Sequence, residues 1–383
     1  MSDGLVMVCD VDLALPDATR THTIEVARGF ARNGLAVDLV ARGPDPEIPG
    51  VLYRAGAASE SSRARRLWAV NARTIALLWR RRGEARRCYV RHYWGQVPVL
   101  LAARLLGYRL VTQVDDVPYG RGFEGEIGLV ADYARRAAAR VMGRLAHGVV
   151  AVTSEIRDLL VEQFHVPAER VVVLPNGVDL DVVRPLPRDE AIAAEGLEPG
   201  AEYVVFAGRF AHWVDFDVML DAFRVVADRR EGARLLLVGG GEEAPAVDAA
   251  VERLGMAERV VRTGFVRERA RLVRLLAAAR VGLVAHRADH TARIGVSPTK
   301  VAEYFAAGRA VVAVDMPSLR DAIEDANAGI VVPRDPTAMG EAVADLLADP
   351  ERADALGRAG RAAAERGYSW GSIVARTISL FEG

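Results

Sequence analysis

The residues near position 300 are of the types that hold a phosphorylated ligand. In "GVSPTKVAEYFAAGRAVVAVD" (295–315), Ser297, Pro298, Thr299 and Lys300 open a helix, and Glu303 follows one turn later. Ser297 suits an N-cap, and Pro298 suits the first helical position, where a missing N–H costs nothing. The free N–H groups and dipole of a helix start attract phosphate. Lys300 adds a full charge there, and Glu303 lies on the same side, where a carboxylate can accept hydrogen bonds from paired ribose hydroxyls. The plain alternative is a capped helix with a local Lys–Glu pair. "FAGRFAHWVDFD" places Gly208 and Arg209 just past an apolar run, where a second cation could meet a diphosphate. "VGGGEE", with Gly239 to Gly241, permits close backbone approach but is not a G-x-G-x-x-G dinucleotide fingerprint. In "TGFVRERA", Gly264, Phe265 and Val266 could border a flat base or simply pack.

The first half carries a second set. "YVRHYWGQ" puts Arg91 and His92 past a strand-like run. "VTQVDDVPYGRGFEGE" puts Asp115 and Asp116 past the next, followed by Glu124 and Glu126. A lone histidine and adjacent loop aspartates equally serve as structural and turn-forming groups. The arginine-rich "SSRARRLWAVNARTIALLWRRRG" reads as an amphipathic surface helix, with weak membrane-surface association or acceptor docking as the alternative.

These loops need a scaffold that brings strand ends together. Apolar runs such as "LVMVCDV", "AVDLVARG", "RRCYVRH", "RLVTQV", "GVVAVT" and "RVVVLPN" alternate with helical segments such as "THTIEVARGFARNG" and "VPVLLAARLLG". Runs apolar nearly end to end suit strands covered on both faces, and the alternation predicts right-handed crossovers and a parallel sheet. The pattern pauses near 176–200, which reads as a connection rich in proline, glycine and acids. It restarts with "EYVVFAGR", "ARLLLVGGG", "RVVRTG", "VGLVAHR", "RAVVAVD" and "GIVVP". The prediction is α/β, two Rossmann-like doubly wound domains with an interdomain cleft, whose ligands sit beyond the carboxyl ends of the strands. The 383 residues suffice for two such domains. A formal net charge of −1 gives no sign of a nucleic-acid partner. Cys9 and Cys88 lie in strand-like runs and read as buried reduced thiols. The start lacks a signal-peptide pattern and no run is long enough to span a bilayer, so a cytoplasmic protein without a transmembrane segment is expected.

Together these phrases resemble the retaining GT-B glycosyltransferases of the family 4 type. "LPNGVD", "FAGR", "LLLVGGG", "TGFV" and "EYFAAGRAVVA" occur in the family's order and spacing, and "RGYSWGSIVARTISLFEG" resembles its closing helix. The likeness is strongest in the second half. It implies an acceptor domain over 1–180, a nucleotide-sugar domain over 181–365, and a closing helix over 366–383 that packs back on the first domain. It implies that Glu303 is the second glutamate of the E-x7-E pattern and binds the donor ribose, that Arg209 contacts the diphosphate, and that Val266 borders the base. The chain departs from the family at several positions. The first glutamate falls on Gly295, the usual lysine falls on Val214, the Gly-Gly pair of the first loop falls on Asp17 and Ala18, and a histidine is replaced at Asp115. An SPxK phrase stands in place of the full motif, so Lys300 is expected to supply the cation missing at Val214.

The expected reaction moves a sugar from a nucleotide diphosphate sugar to a small acceptor hydroxyl with retention. Arg209 and Lys300 stabilise the leaving diphosphate, and no metal or other cofactor is required. Gly208, Ser297, Pro298 and Thr299 complete the expected donor set, with His92 and Asp115 as further catalytic candidates. Asp17, His22, Arg91, His92, Asp115 and Asp116 are the acceptor candidates. The acids between Asp115 and Glu126 would suit a cationic acceptor, such as an aminocyclitol of antibiotic biosynthesis. A sugar-nucleotide epimerase, a phosphorylase and a non-catalytic partner of the same fold are the alternatives.

Overall fold

The computed structural model describes residues 4–15, 18–55, 62–91, 95–115, 129–287, 294–295, 297 and 299–382. The chain divides into two compact units, Met1–Asn176 with Trp370–Gly383, and Gly177–Ser369.

The first unit holds a seven-stranded parallel sheet in the order β3-β2-β1-β4-β5-β6-β7. Its strands are β1 (Gly4–Asp12), β2 (Ala36–Arg42), β3 (Val51–Ala55), β4 (Ala85–Arg91), β5 (Arg109–Val114), β6 (Gly148–Ala151) and β7 (Val171–Val173). The interior strand β1 is buried along nearly its whole length, as expected of a strand covered on both faces. Cys9 on β1 and Cys88 on β4 are buried free thiols, and burial pushes both up to about 12. The edge strand β3 escapes the sequence pattern because "VLYRA" has no buried run and leaves Leu52 exposed. It is anchored by Arg54, whose Nε meets the buried Asp38 of β2 at 2.9 Å, while Arg81 approaches the same carboxylate at 2.9 Å. The arginine-rich segment forms the helix Arg63–Arg81, on which Trp68 and Trp79 are exposed. The late helix Trp370–Ser379 belongs to this unit. A Cβ on Gly29 would come within 2.6 Å of Val374 Cγ2, so glycine admits that helix against Ala18–Arg32.

The second unit holds a six-stranded parallel sheet in the order β10-β9-β8-β11-β12-β13. Its strands are β8 (Glu202–Ala207), β9 (Ala233–Val238), β10 (Val260–Gly264), β11 (Ala279–Val284), β12 (Ala310–Val314) and β13 (Gly329–Val332). Phe206, Phe210 and Phe216 cluster in its core, with ring centroids 4.9 to 5.9 Å apart. The segment read as a connection contains the helix Arg188–Ala194. At seven residues it is too short to show a period, and it is held by Glu195, which accepts from Arg271 at 3.0 Å and Arg274 at 2.6 Å. No helix among the described residues is long and apolar enough to cross a membrane.

Candidate functional site

In the second unit, three loops leave the carboxyl ends of β8, β9 and β10 and are tied by backbone hydrogen bonds. Gly208 N donates to Val238 O at 2.9 Å, Phe210 N to Gly240 O at 2.9 Å, and Gly239 N to Gly264 O at 3.0 Å. These approaches depend on glycine. Gly239 has φ +133, and a Cβ there would overlap the carbonyl oxygen of Gly208.

The helix Thr299–Ala306 starts against these loops. Tyr304 sets its position: its hydroxyl accepts from Ala207 N at 3.0 Å, and its ring lies where a Cβ on Gly282 of β11 would sit. Lys300 thereby passes beneath Gly208, where a Cβ would overlap its Cε and stand 3.2 Å from Nζ. Its ammonium lies 5.4 Å from the centroid of Phe206. Burial pushes the Lys300 pKa down to about 8, opposed by the charge of Glu303. No ion pair within 4.0 Å holds Lys300 among the described residues. Glu303 lies 3.3 Å from Arg269 Nη1. A carboxylate has about four acceptor sites, which leaves capacity for ribose hydroxyls.

Arg209 projects from the same edge and is 68 % exposed. Its Nε donates to Glu242 Oε2 at 3.1 Å, and its guanidinium lies 5.9 Å from the Trp213 ring. The Glu242 pKa is lowered, first by its own backbone N–H and then, against burial, by Arg209. Val214 is buried in the core, so no side-chain charge comes from that position. Gly295 is buried with φ +67, a conformation that favours glycine and strains a glutamate. The missing acid is therefore built into the backbone of this chain. Val266 packs against the core beside the exposed Phe265. Ser297 O accepts from Thr299 N at 2.7 Å; Pro298 lies outside the described residues. Sequence reasoning missed Glu242 and Arg269, the partners of the two expected donor ligands. Both stand in "VGGGEE" and "TGFVRERA", where a charged residue beside a glycine turn carries no spacing that names its partner.

In the first unit, His22, Arg91 and Asp115 meet in one buried polar network. Arg91 Nε donates to Asp115 Oδ2 at 2.6 Å, and its Nη1 donates to Thr19 O at 3.0 Å. Gln113 Nε2 donates to Asp115 Oδ1 at 2.6 Å, so both carboxylate oxygens are engaged. His22 Nδ1 lies 2.8 Å from Asn176 Oδ1, and Nε2 lies 3.1 Å from Gln113 Oε1. Its ring meets Trp370 edge-on at 5.1 Å. The two oxygens favour a protonated ring. Burial, and after it the charge of Arg91, outweigh them and push the His22 pKa down to about 3. Gln113 and Asn176 are uncharged, and although Asn176 stands in the phrase "LPNGVD", nothing in the sequence pairs either of them with His22. Asp17, His92, Asp116, Glu124 and Glu126 lie outside the described residues.

This network predicts a pH dependence. The His22 pKa is about 3 folded, against 6.5 as its ordinary value. Between these values the unfolded chain binds the extra proton, so stability is full above pH 6.5 and falls as pH drops. The slope approaches about 1.4 kcal/mol per pH unit well below pH 6.5, and the loss amounts to about 2 kcal/mol between pH 7 and 5. Denaturant melts between pH 7 and 5 should show it, and His22→Gln should flatten it. Equal slopes in both proteins would refute the assignment.

The model for Glycosyltransferase Family 4 matches residues 19–182, and that for Glycosyl transferases group 1 matches residues 201–349. The D-inositol 3-phosphate glycosyltransferase of Thermobispora bispora is 30% identical, over 94% of this chain and 88% of its own. The enzyme of that name from Segniliparus rotundus is 31% identical over 73% of this chain, and the match spans 62% of its own length. Among solved structures, sucrose-phosphate synthase from Thermosynechococcus elongatus superposes with a TM-score of 0.76 at 19% identity, covering 99% of this chain and 98% of that one. The chain belongs to glycosyltransferase family 4, and its two parallel-sheet, Rossmann-like α/β domains are those of the GT-B fold.

Proposed function

We propose that this protein transfers a sugar from a nucleotide diphosphate sugar to a hydroxyl of a phosphorylated polyol or sugar, with retention of anomeric configuration. The observation that carries the donor half is Lys300, a desolvated cation packed beneath Gly208 at the start of the helix Thr299–Ala306. A diphosphate placed there meets Lys300, the positive end of the helix dipole and the exposed guanidinium of Arg209. Glu303 then accepts from the ribose hydroxyls, sharing its carboxylate with Arg269.

In the reaction the bond between the anomeric carbon and the diphosphate oxygen breaks, and negative charge grows on the leaving group. The two cations stabilise that charge in the transition state more than in the bound donor. The acceptor oxygen bonds to the anomeric carbon on the face the diphosphate leaves. The acceptor proton passes to a leaving phosphate oxygen. Asp115 takes no proton in this scheme, since both its oxygens accept from Arg91 and Gln113; it holds those two side chains in place.

The acceptor reading is revised from a cationic aminocyclitol. Asp115 is neutralised by Arg91, and the relatives are named for inositol 3-phosphate. With donor fixed, inositol 3-phosphate should turn over at least tenfold faster than inositol or an aminocyclitol, and the product should keep the donor's anomeric configuration by NMR. Preference for the amine, or no preference for the phosphate, would overturn the acceptor assignment.

A further inference from the structure

The second unit has a cavity of about 360 Å³ lined by Arg188, Arg280, Arg309, Arg358, Arg361 and Asp354 among others. We propose that this cavity binds a small phosphate-bearing polyanion at a site separate from the donor edge. Arg280 and Arg309 lie at the amino ends of β11 and β12, whereas the donor loops leave carboxyl ends of the same sheet. Strands of this length separate the two ends by about 15–20 Å.

Five cations face one acid in this lining. Their positions are set by backbone carbonyls, which orient a guanidinium without cancelling its charge. Arg309 Nε donates to Ala307 O at 2.9 Å, and its Nη1 to Ala279 O at 3.2 Å. Arg361 Nη1 donates to Ala306 O at 2.9 Å and Val183 O at 3.0 Å, and Arg188 Nη1 to Ala201 O at 3.2 Å. Carboxylates reach three of the five: Asp354 lies 3.2 Å from Arg280, Glu365 2.7 Å from Arg361, and Asp189 3.8 Å from Arg188. Among the described residues Arg309 and Arg358 have no carboxylate within 4.0 Å. Burial, opposed by Asp354 and aided by Arg280 and Arg188, lowers the pKa of Arg309, so the cluster repels itself.

Holding the fold accounts for Arg309 and Arg361 but not for Arg358, which is exposed and lines the cavity without supporting any described backbone group. The planar fork of a guanidinium matches phosphate oxygens two at a time, and several around one cavity suit a multiply charged anion. The volume is that of a small-ligand pocket.

The test is calorimetric titration of the full chain at constant ionic strength, with pyrophosphate as probe and sodium chloride as control. It is run on the Arg209→Ala/Lys300→Ala double variant, so that the donor edge does not contribute. One equivalent of pyrophosphate should bind, and adding Arg358→Glu should weaken it at least tenfold, with Arg358→Gln intermediate. Since Arg358 is exposed, the melting temperature without pyrophosphate should not change. Parallel titrations with inorganic phosphate and glycerol 3-phosphate distinguish a free phosphate from a phosphate ester. Absence of binding in the donor-edge double variant, or equal affinity with Arg358→Glu, would overturn the proposal.

Discussion

Replacing Lys300 with alanine should lower kcat/KM by about 100–1000-fold, the usual loss when one preorganised charge is removed from a leaving group. The fold should survive, because the residue lost is a desolvated cation with no ion pair among the described residues. Arg209→Ala should cost less, about tenfold, since Arg209 is exposed and already shares its charge with Glu242, where solvent and the carboxylate screen it. A pH profile supplies a second readout. With its pKa pushed down to about 8, Lys300 is charged below that pH and loses its proton above it. Donor affinity should therefore fall as pH rises through 8, and Lys300→Arg should remove the inflection because guanidinium stays charged. The measurement is donor Kd from pH 6 to 10 in the unsubstituted protein and the three variants. If Lys300→Ala keeps its donor affinity while Arg209→Ala loses it, Lys300 is not the compensating cation.

Gly239→Ala should destabilise the protein by about 3–5 kcal/mol, from backbone strain at positive φ plus a clash that only backbone movement can relieve. The new methyl would overlap the Gly208 carbonyl oxygen, with the carbonyl carbon at 2.9 Å. Two neighbouring glycines make this more than a statement about glycine-rich loops. A Cβ on Gly240 meets nothing within 4 Å, so Gly240→Ala should be near neutral. A Cβ on Gly208 meets the flexible end of Lys300, so Gly208→Ala should lose activity while losing less stability than Gly239→Ala. Denaturant midpoints and kcat/KM for the three variants check the ordering; a Gly239→Ala midpoint equal to that of Gly240→Ala would remove its basis.

The two parallel sheets were legible because buried strands are apolar nearly end to end and glycine closes the helices between them. What was lost lay at the edges of that rule. The strand β3 is half exposed and five residues long, and the helix Arg188–Ala194 is shorter than two full periods of the pattern that reveals helices. At the donor edge, ligand types at strand ends could be picked out, but their partners could not. Glu242 reaches Arg209 from the loop after β9 and Arg269 reaches Glu303 from the start of the helix Arg269–Ala278, both contacts between residues more than thirty positions apart. In the first unit the same limit acted in reverse. His22, Arg91 and Asp115 looked like separate acceptor groups, and tertiary structure joins them through Gln113. Gly295 read as a lost acid; its φ of +67 shows a backbone that excludes one.

The first unit is discontinuous: residues 370–383 complete a core begun before residue 177. On the ribosome its seven-stranded sheet emerges well before the helix that covers it. The surfaces that later seat Val374, Trp370 and Phe381, among them Gly29, His22 and Phe30, stand open while the second unit is made. That interval is roughly 10–40 s at ordinary translation rates. The second unit, whose residues 177–369 are continuous, can close during that wait. Maturation is thus expected to run against chain order, with the second unit folded first and the unit synthesised earliest finished last.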